Sequence, residues 1–467
     1  MTSVYPAPVT VAPVASPVAA SAAHPDRSFP RLHPRPDRGW VNDPNGVAFA
    51  DGRWHVFYQY NPESARHHRI HWGHMSSPDL VCWDAHLVAL APQEGGPDAY
   101  GCWTGVVTHD AGVPTAVYSG VVDGSGRSQV VLARGSVDLE AWTQDGTVAA
   151  GMPADPRVVA VRDPFVFEFA GRRWALQGAG LDSGHAALLL YGADDLSAWE
   201  YHGVWLTSED PVAAGLPEAN IWECPQLVHS GDSWAAVVSL WRDDQLTGVG
   251  HLVGSLAQDP ATGLPVFSPR ATGLTDLGSS FYAPQAVQVP ASAGAPERVL
   301  VWGWAKEAAP AGVRGRTQED CDAVGWSGAL TFPRELGVLG DAVEVRPASE
   351  LAALRAAELA PVTGSAHDGG THLPLPDQAE AVLTGSGAVR LVLGAAGDPL
   401  CEQLVWEGEL AAGDEVRVLL DASIIEVYRA GGVPTTLRAY PRGEETYWLD
   451  LGPGVALRAW RLAVPGK

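Results

Sequence analysis

Short runs of aromatic and β-branched residues recur about every 60 residues through the first two thirds of the chain, each flanked by turn-forming residues. Runs of this composition are typical of β-strands. A unit of about 60 residues has room for the four short strands of one β-propeller blade. We therefore predict a five-bladed β-propeller built on five runs, Val56–Tyr60, Ala116–Gly120, Trp174–Gly178, Trp234–Leu240 and Val299–Trp304.

Three acidic residues occupy the same phase of this repeat. Asp43 and Asp163 are 120 residues apart, and Glu223 follows after a further 60, while Trp103 and Ala283 hold the other two positions. Equal phase places residues at matching points of successive blades, so we expect the three carboxyl groups on the innermost strands, at one mouth of the central channel. Asp-Pro and Pro-Asn-Gly are also common turn formers. Three acids in phase nevertheless favour a shared site, and convergent carboxyl groups suggest glycoside hydrolysis.

The composition restricts the partners of the chain. Its 467 residues are enough for two or three domains. The net charge of −24 argues against nucleic acid and anionic membranes as partners, and no stretch is long and apolar enough to span a membrane. A neutral sugar is compatible with this charge. The 18 tryptophans offer faces for stacking on sugar rings, although we expect more than half of them in domain cores.

The cysteines indicate the compartment. There are five, scattered along the chain and without a Cys-x-x-Cys pair. This pattern favours buried thiols in a reducing environment over a disulfide framework or a zinc site, and therefore a cytoplasmic location. Cys102 and Cys224 each neighbour a position of the acidic phase, so we expect both to line the wall of the site.

The chain divides into four predicted segments. Residues 1–29 are rich in Ala, Pro, Val and Ser, and their prolines favour a disordered tail over a signal peptide, although the small residues at 20–23 keep export as an alternative. The propeller is placed at residues 30–338. A connecting helix is placed at 339–360, with Ser349 as its N-cap and leucines at near-helical spacing.

Residues 361–467 carry alternating strand patterns without an acidic cluster, which predicts a β-sandwich with no chemistry of its own. The fold class expected for the whole chain is therefore all-β, a five-bladed propeller followed by a C-terminal sandwich. The sandwich strands are expected at Ala388–Leu393, Glu415–Leu420, Ser423–Tyr428, Tyr447–Leu451 and Val455–Trp460.

A series of short motifs runs through nearly everything after the tail. They are Trp40-Val-Asn-Asp-Pro-Asn-Gly46, Phe57-Tyr-Gln-Tyr-Asn-Pro62, His71-Trp-Gly-His74, Gly101-Cys-Trp-Thr-Gly105, Arg162-Asp-Pro164, Trp222-Glu-Cys-Pro225, Phe281-Tyr-Ala-Pro-Gln285, Trp302-Gly-Trp304, Phe332-Pro-Arg-Glu-Leu336 and Leu420-Asp-Ala-Ser-Ile-Ile-Glu-Val-Tyr428. In this order they resemble glycoside hydrolase family 32, the β-fructofuranosidases, which include invertases, sucrose-6-phosphate hydrolases, levanases and inulinases. Three departures concern specificity: Val41 stands where Met is common, Trp103-Thr104 where Phe-Ser is common, and Gln226 where Asp usually follows.

The resemblance implies retaining hydrolysis of a terminal β-D-fructofuranoside on a propeller-plus-sandwich fold. Asp43 would be the nucleophile and Glu223 the general acid and base, while Asp163 would stabilise the transition state through the fructose hydroxyls. Two neighbouring carboxyl groups cannot both ionise cheaply, so activity should be bell-shaped in pH and highest on the mildly acidic side. The implied substrate-binding residues are Asn42, Pro44, Asn45, Gln59, Trp72, Trp103, Thr104, Arg162, Tyr282 and Trp302.

Several questions about the chemistry stay open. The histidines at positions 67, 68, 71 and 74 lack helical metal-ligand spacing, and the resemblance implies no metal and no cofactor. The loop Arg66–Arg69 could touch a leaving glucose or a phosphate on it, which would suit sucrose 6-phosphate. The chain could also be a fructosyltransferase, an inverting glycosidase or a non-catalytic sugar-binding propeller. The oligomeric state and the preferred chain length and linkage are open.

Overall fold

The structure is a computed structural model that describes residues 24–291, 296–360, 371–395 and 402–466. Most of the predicted tail, as well as Cys401, lies outside these ranges. Within them most residues lie in β-strands, and nearly all strand pairs are antiparallel. No helix in the described ranges has the length and apolar character needed to cross a membrane.

Five sheets, each formed by consecutive strands, make up the first part of the chain. The strands are β1 (Gly39–Ala50), β2 (Arg53–Asn61), β3 (His71–Ser77) and β4 (Asp84–Ala85) in the first blade; β5 (Gly101–Asp110), β6 (Val113–Val121), β7 (Ser128–Gly135) and β8 (Trp142–Ala150) in the second; β9 (Val158–Phe169), β10 (Arg172–Leu181), β11 (Ala186–Gly192) and β12 (Glu200–Thr207) in the third; β13 (Ile221–Ser230), β14 (Ser233–Arg242), β15 (Gln245–Gln258) and β16 (Pro265–Leu274) in the fourth; and β17 (Phe281–Val289), β18 (Arg298–Ala305), β20 (Ala329–Leu330), β21 (Arg334–Leu339) and β22 (Ala342–Pro347) in the fifth.

The five sheets form a closed ring. The first strands of the blades, β1, β5, β9, β13 and β17, each contact the next, and β17 contacts β1. A short strand β19 (Trp326–Ser327), which follows helix α1 (Gln318–Val324) of the fifth unit, pairs in parallel with the start of β1. The five-bladed propeller predicted from the repeat is confirmed, and the predicted aromatic runs form the second strand of each blade.

Each innermost strand carries a β-bulge near its start, where two of its residues face one residue of the second strand. We call these pairs the axial bulges. A bulge changes the direction of the neighbouring side chains, so side chains at the bulges need not follow the regular alternation of a strand. The axial bulges are Asn42–Asp43, Trp103–Thr104, Asp163–Pro164, Cys224–Pro225 and Ala283–Pro284.

The acids therefore match in blade position only approximately. Asp43 is the second residue of its bulge and Asp163 is the first, whereas Glu223 is the last paired residue before the fourth bulge. The 60-residue phase gives the approximate position of the three acids. Because each acid lies at a different position relative to the bulge of its own strand, the three carboxyl groups point in different directions.

The C-terminal strands form a sheet-rich domain around two long strands, β25 (Gln378–Gly394) and β26 (Gln403–Asp421), as the predicted sandwich requires. The first half of β25 pairs with one neighbour and the second half with another, with a register shift between Gly385 and Gly387, both at positive φ. This bend lets one pair of strands serve both layers. The other strands are β23 (Arg355–Leu359), β24 (Thr371–Leu375), β27 (Ile424–Arg429), β28 (Thr435–Arg438), β29 (Thr446–Leu451) and β30 (Val455–Leu462).

The predicted connecting helix at 339–360 is wrong. Strand β22 occupies its first part, a single 3₁₀ helix at Ser349–Leu354 follows, and β23 then pairs with β30. The N-cap is Ala348, which offers no side-chain acceptor, so Ser349 is not the cap. Leu351 and Leu354 are buried at the three-residue spacing of a 3₁₀ turn. The predicted propeller boundary at 338 falls inside β21.

The end of the predicted tail is also ordered against the body. Phe29 is buried between the rings of His24 and Trp326, and Asp26 forms an ion pair with Arg316. Residues 24–29 are therefore part of the folded unit.

A buried network of charges joins the propeller to the sandwich. Arg334 of β21 lies between Asp276, at 2.9 Å, and Glu426 of β27, at 3.0 Å. His33 bridges Glu426 and Asp421, at 3.0 and 2.9 Å. All five side chains are almost completely excluded from solvent, so each charge depends on its partners across the interface.

Candidate active site

Asp43 is buried at the channel mouth with three donors around its carboxyl group. Thr104 Oγ1 and Gln59 Nε2 donate to Oδ2 at 2.5 and 3.0 Å, and Asn42 Nδ2 donates to Oδ1 at 3.0 Å. The residue is only 8% exposed. These donors come from three strands in two blades, so the carboxyl orientation is fixed by the ring itself.

Asp163 lies in the third axial bulge with φ of 57°, a left-handed backbone that costs free energy for a residue with a Cβ. Its backbone N–H donates to Ser119 Oγ at 2.8 Å. Its Oδ2 accepts the backbone N–H of Cys224 at 3.0 Å. Asp163 is 5% exposed and thus links the third blade to the second and to the fourth.

Glu223 is held by a cation and a phenol. Arg162 Nη1 lies 3.0 Å from Oε1, and Tyr282 donates its hydroxyl to Oε2 at 2.7 Å. The Arg162 guanidinium also lies over the Trp241 ring, 5.8 Å from its centre. The side chains of the third and fifth blades therefore converge on the acid of the fourth.

A glycine allows this approach. An added Cβ at Gly178 of β10 would lie 2.1 Å from the Trp222 carbonyl oxygen. A larger residue there would push β13 and Glu223 away from the third blade, so the close packing of the two blades requires glycine at this position.

The three carboxyl groups do not share one electrostatic environment. Burial, with the nearby negative charge of Glu223, raises the pKa of Asp43 to about 6, although the hydrogen bond from Thr104 opposes the rise. Burial and the charges of Glu223 and Asp43 raise the pKa of Asp163 to about 8. The shift toward the protonated form is therefore larger for Asp163 than for Asp43.

Aromatic side chains surround the acids. Trp72 donates its indole N–H to the Trp103 carbonyl at 2.9 Å and so stabilises the second axial bulge. His67 lies edge-on to Trp103 and Trp40 and contacts Gln59 at 3.3 Å. Trp40 donates to Asn42 Oδ1 at 2.8 Å. Of the predicted binding residues, Asn42, Gln59, Thr104, Arg162 and Tyr282 all contact a catalytic candidate directly.

Sequence reasoning did not single out Trp40, Ser119 or Trp241 as parts of the site, and it named His67 only as a member of the loop Arg66–Arg69. Trp40 opens the first motif, and His67 belongs to the loop between the two arginines at 66 and 69, so a signal existed for both. Ser119 and Trp241 lie on second strands: Ser119 accepts the backbone N–H of Asp163 in the next blade, and Trp241 packs under Arg162 of the preceding blade. These contacts between blades appear only in the closed ring.

Four residues depart from expectation. Trp302 pairs with Gln285, and its ring is fully buried in the cluster between the first and fifth blades, edge-on to Trp83. Asn45 is fully buried beside the Trp72 indole, and Pro44 is buried as well. Cys224 contacts Asp43 and Asp163, but Cys102 instead contacts Asp98.

The predicted loop and histidine cluster are dispersed. Arg66 forms an ion pair with Asp322 of helix α1. His68 lies edge-on to Tyr100, whereas His74, in the middle of β3, stacks on Phe57. In the part of the chain that the structure describes, no group of three or more His, Cys, Asp or Glu side chains could hold a metal ion.

The fold and the site define a five-bladed propeller that gathers three carboxyl groups at one end of its axis. The family model described as the glycosyl hydrolases family 32 N-terminal domain matches residues 33–347. The match covers more than half of the chain, and the chain belongs to this family.

Curated relatives match over similar stretches. The sucrose-6-phosphate hydrolase of Zymomonas mobilis is 29% identical over 349 residues, which cover 71% of this chain and 64% of that protein. The raffinose invertase of Escherichia coli is 32% identical over 340 residues, with coverage of 70% and 66%. The sucrose-6-phosphate hydrolase of Bacillus subtilis is 27% identical over 446 residues and 88% of each chain. The chain thus spans about two thirds of the length of the first two relatives.

Solved structures show the same fold. The Bombyx mori β-fructofuranosidase aligns with a TM-score of 0.75 and 23% identity, over 96% of this chain and 97% of that one. The fructan 1-exohydrolase IIa of Cichorium intybus, solved in complex with 1-kestose, aligns with a TM-score of 0.75 and 21% identity, over 94% and 98%.

Proposed function

We propose that the protein is a retaining glycoside hydrolase that releases terminal β-D-fructofuranosyl residues from sucrose or fructans. The observation that carries the proposal is the unequal surroundings of three buried carboxyl groups at one mouth of the channel. Asp43 is held by neutral donors, while Arg162 and Tyr282 hold Glu223. Family membership and relatives named as invertase and sucrose-6-phosphate hydrolase support the fructoside as substrate.

In the first step Asp43 attacks the anomeric carbon of the fructosyl unit, and the bond to the leaving oxygen breaks. Glu223 transfers its proton to that oxygen, so that a neutral sugar departs. In the second step a water molecule gives a proton to Glu223 and displaces Asp43 from the anomeric carbon. Two inversions give net retention, the outcome expected when two carboxyl groups act as nucleophile and acid/base.

Asp163 contacts the fructose hydroxyls in this proposal. Its raised pKa favours the protonated form of the carboxyl group. A protonated Asp163 can donate to one hydroxyl while its other oxygen keeps the Cys224 N–H. Glu223 also carries a proton before the first step, so the buried site does not hold three negative charges at once.

The proposal is tested by initial rates of fructose release from sucrose, sucrose 6-phosphate, inulin and levan at matched concentrations. Release from sucrose or a fructan supports it and ranks the substrates. Folded protein that releases fructose from none of the four would contradict it and favour sugar binding without catalysis.

Sucrose 6-phosphate is the second candidate substrate, because the Zymomonas mobilis and Bacillus subtilis relatives are named as its hydrolases. The structure gives this substrate limited support: Asp322 already neutralises Arg66 of the loop. A rate at least about tenfold higher on the phosphate ester, lost in the variant Arg69→Ala, would establish it.

We also infer a cytoplasmic location, supported by three buried free thiols, Cys102, Cys224 and Cys321. Fractionation of the producing cells, with activity measured in cytosol and medium, tests this. Activity confined to the medium would overturn it.

A further inference from the structure

Two axial bulges hold the residues that meet at the general acid. Glu223 immediately precedes the fourth bulge, and Tyr282 immediately precedes the fifth. The Tyr282 hydroxyl donates to Glu223 at 2.7 Å. The two bulges must therefore keep a fixed separation for this contact to persist.

The residues that immediately follow the same two bulges are both glutamines. Gln226 follows the fourth and Gln285 the fifth, and both are 3% exposed. Gln285 Nε2 donates to Gln226 Oε1 at 3.0 Å, and the backbone N–H of Ala286 donates to the same oxygen at 2.8 Å. The side-chain amide of Gln226 thus joins the fourth and fifth blades just after the two bulges.

Gln226 also reaches back to its own bulge. Its Nε2 donates to the Pro225 carbonyl at 2.7 Å and to the Cys224 carbonyl at 3.4 Å. An aspartate could accept from the fifth blade but could not donate to these carbonyl groups, because an ionised carboxylate is an acceptor only. The glutamine at this position satisfies both sides at once.

We propose that Gln226 and Gln285 form an interblade brace that positions Glu223 against Tyr282, so that Gln226 is a positioning residue for proton transfer to the leaving group. The brace joins the two strands just after their bulges, and the hydrogen bond between Tyr282 and Glu223 joins them just before the bulges. This inference rests on the proposed function, in which Glu223 is the general acid.

The test compares two substrates that differ in their need for a proton. Sucrose has a poor leaving group, whereas p-nitrophenyl β-D-fructofuranoside leaves with little protonation. Gln226→Leu removes the amide at similar size. We expect kcat on sucrose to fall roughly tenfold or more, since small misplacements of catalytic groups cost that much, with a loss of less than about threefold on the aryl fructoside.

Gln288→Leu is the matched control. Gln288 exchanges two hydrogen bonds with the His229 backbone, at 3.0 and 3.1 Å, and so joins the same two strands three residues farther from the acids. We expect its kcat on both substrates to stay within about twofold of wild type. Melting temperatures of all variants show whether folding is retained.

Equal losses on the two substrates in Gln226→Leu, or equal losses in Gln226→Leu and Gln288→Leu, would overturn the inference. If Gln226→Leu does not fold, Gln285→Met removes the donor from the other side and must show the same split between substrates. Wild-type activity on sucrose is measured in the same series, so that failure of the proposed function is visible as inactive wild type and failure of the brace as an unsplit variant.

Discussion

The backbone N–H of Cys224 donates to Oδ2 of Asp163 across 3.0 Å. The acid of the third blade therefore accepts the hydrogen bond that stabilises the bulge of the fourth. In the third and fifth blades the corresponding N–H groups, of Asp163 and Ala283, find serine hydroxyls instead. One carboxyl group thus serves both the chemistry of the site and the structure of the ring.

Asn and Ala at position 163 should have different effects. In the proposed mechanism Asp163→Ala should lower kcat at least about 100-fold, because a group that stabilises the transition state is lost. Asp163→Asn should lose less activity, because its amide can still donate to a fructose hydroxyl in place of the protonated carboxyl. An asparagine oxygen can still accept the Cys224 N–H, whereas alanine leaves it unsatisfied at a cost of about 1–3 kcal/mol. Asp163→Ala should therefore have a lower melting temperature than Asp163→Asn. Equal melting temperatures would contradict the role of Asp163 as acceptor for the Cys224 N–H.

The same residue makes a pH-dependent contribution to stability. The folded pKa of Asp163, about 8, lies above its unfolded value, so its contribution is complete below about pH 4 and is lost as the pH rises through 8. The difference in free energy of unfolding between Asp163→Asn and wild type should increase in favour of the variant from pH 5 to pH 9. A constant difference over that range would show that Asp163 is not buried as a neutral acid.

Thr104→Val should move the acid limb of the activity profile to higher pH. In the proposed mechanism Asp43 attacks in its ionised form, so its pKa, about 6, should set that limb. The Thr104 hydroxyl donates to Asp43 and holds this pKa down. Its removal should shift the limb of kcat/KM upward by about 0.5 to 1 pH unit.

Thr115→Val provides the control, because Thr115 is a buried threonine of the same blade that bonds only to Val113 and Arg134. Its profile should match wild type. An acid limb that stays in place in Thr104→Val would show that a different group sets it.

The charge network between the domains should be essential for stability. Arg334→Met leaves Glu426 and Asp276 buried without their cation, which should cost about 3–5 kcal/mol in free energy of unfolding. Its partner Glu426 has a pKa lowered to about 2, where burial opposes and Arg334 and His33 favour the charge. This contribution is present above the unfolded value and is lost as the pH falls toward 2.

Denaturant unfolding of Arg334→Met measures this cost. Arg172→Met removes an exposed ion pair with Asp194 and should change stability by less than about 1 kcal/mol. Similar small effects of both variants would contradict the importance of the interdomain network.

A buried stack of histidines in the first blade should limit stability in acid. His55 Nδ1 lies 2.9 Å from His74 Nε2, and His74 stacks between Phe57 and His86. Burial lowers the pKa of His55 to about 4 and that of His74 well below its ordinary value. Because the folded values are depressed, protonation destabilises the fold as the pH falls below 6.5.

The melting temperature of His74→Phe should therefore fall less between pH 7 and pH 4 than that of wild type, whatever the effect of the substitution on the melting temperature at pH 7. The exposed residue His109, varied to Asn, should leave that loss unchanged. The histidine stack would have no role in acid sensitivity if wild type and His74→Phe lost the same amount.

The repeat in the sequence was sufficient to predict the propeller because blade architecture depends on local strand patterns and their spacing. It located Asp43, Asp163 and Glu223 at one mouth for the same reason. It could not predict the directions of the three side chains, since each depends on where its bulge falls relative to the acid. Bulges are set by pairing between strands and leave little local signal.

The errors have related causes. The segment around Ser349 has leucines at helical spacing, but pairing of Arg355–Leu359 with the edge of the sandwich outweighs local propensity. Trp302 belongs to a motif with Trp304, yet its ring enters the cluster formed with side chains of the first blade. Cys102 neighbours the phase position, but Asp98 draws its thiol away. In each case the deciding contact comes from a distant part of the fold.

In the proposed mechanism Asp43 forms a covalent fructosyl-enzyme, and Glu223 accepts the proton of the water molecule that hydrolyses it. The most direct measurement is mass spectrometry of Glu223→Ala after incubation with p-nitrophenyl β-D-fructofuranoside, a substrate that needs no acid for the first step but lacks a base for the second. We expect one anhydrohexose on the peptide that contains Asp43, absent when Asp43→Asn is added. Wild-type turnover with inversion at the anomeric carbon and no adduct in the variant would contradict the account.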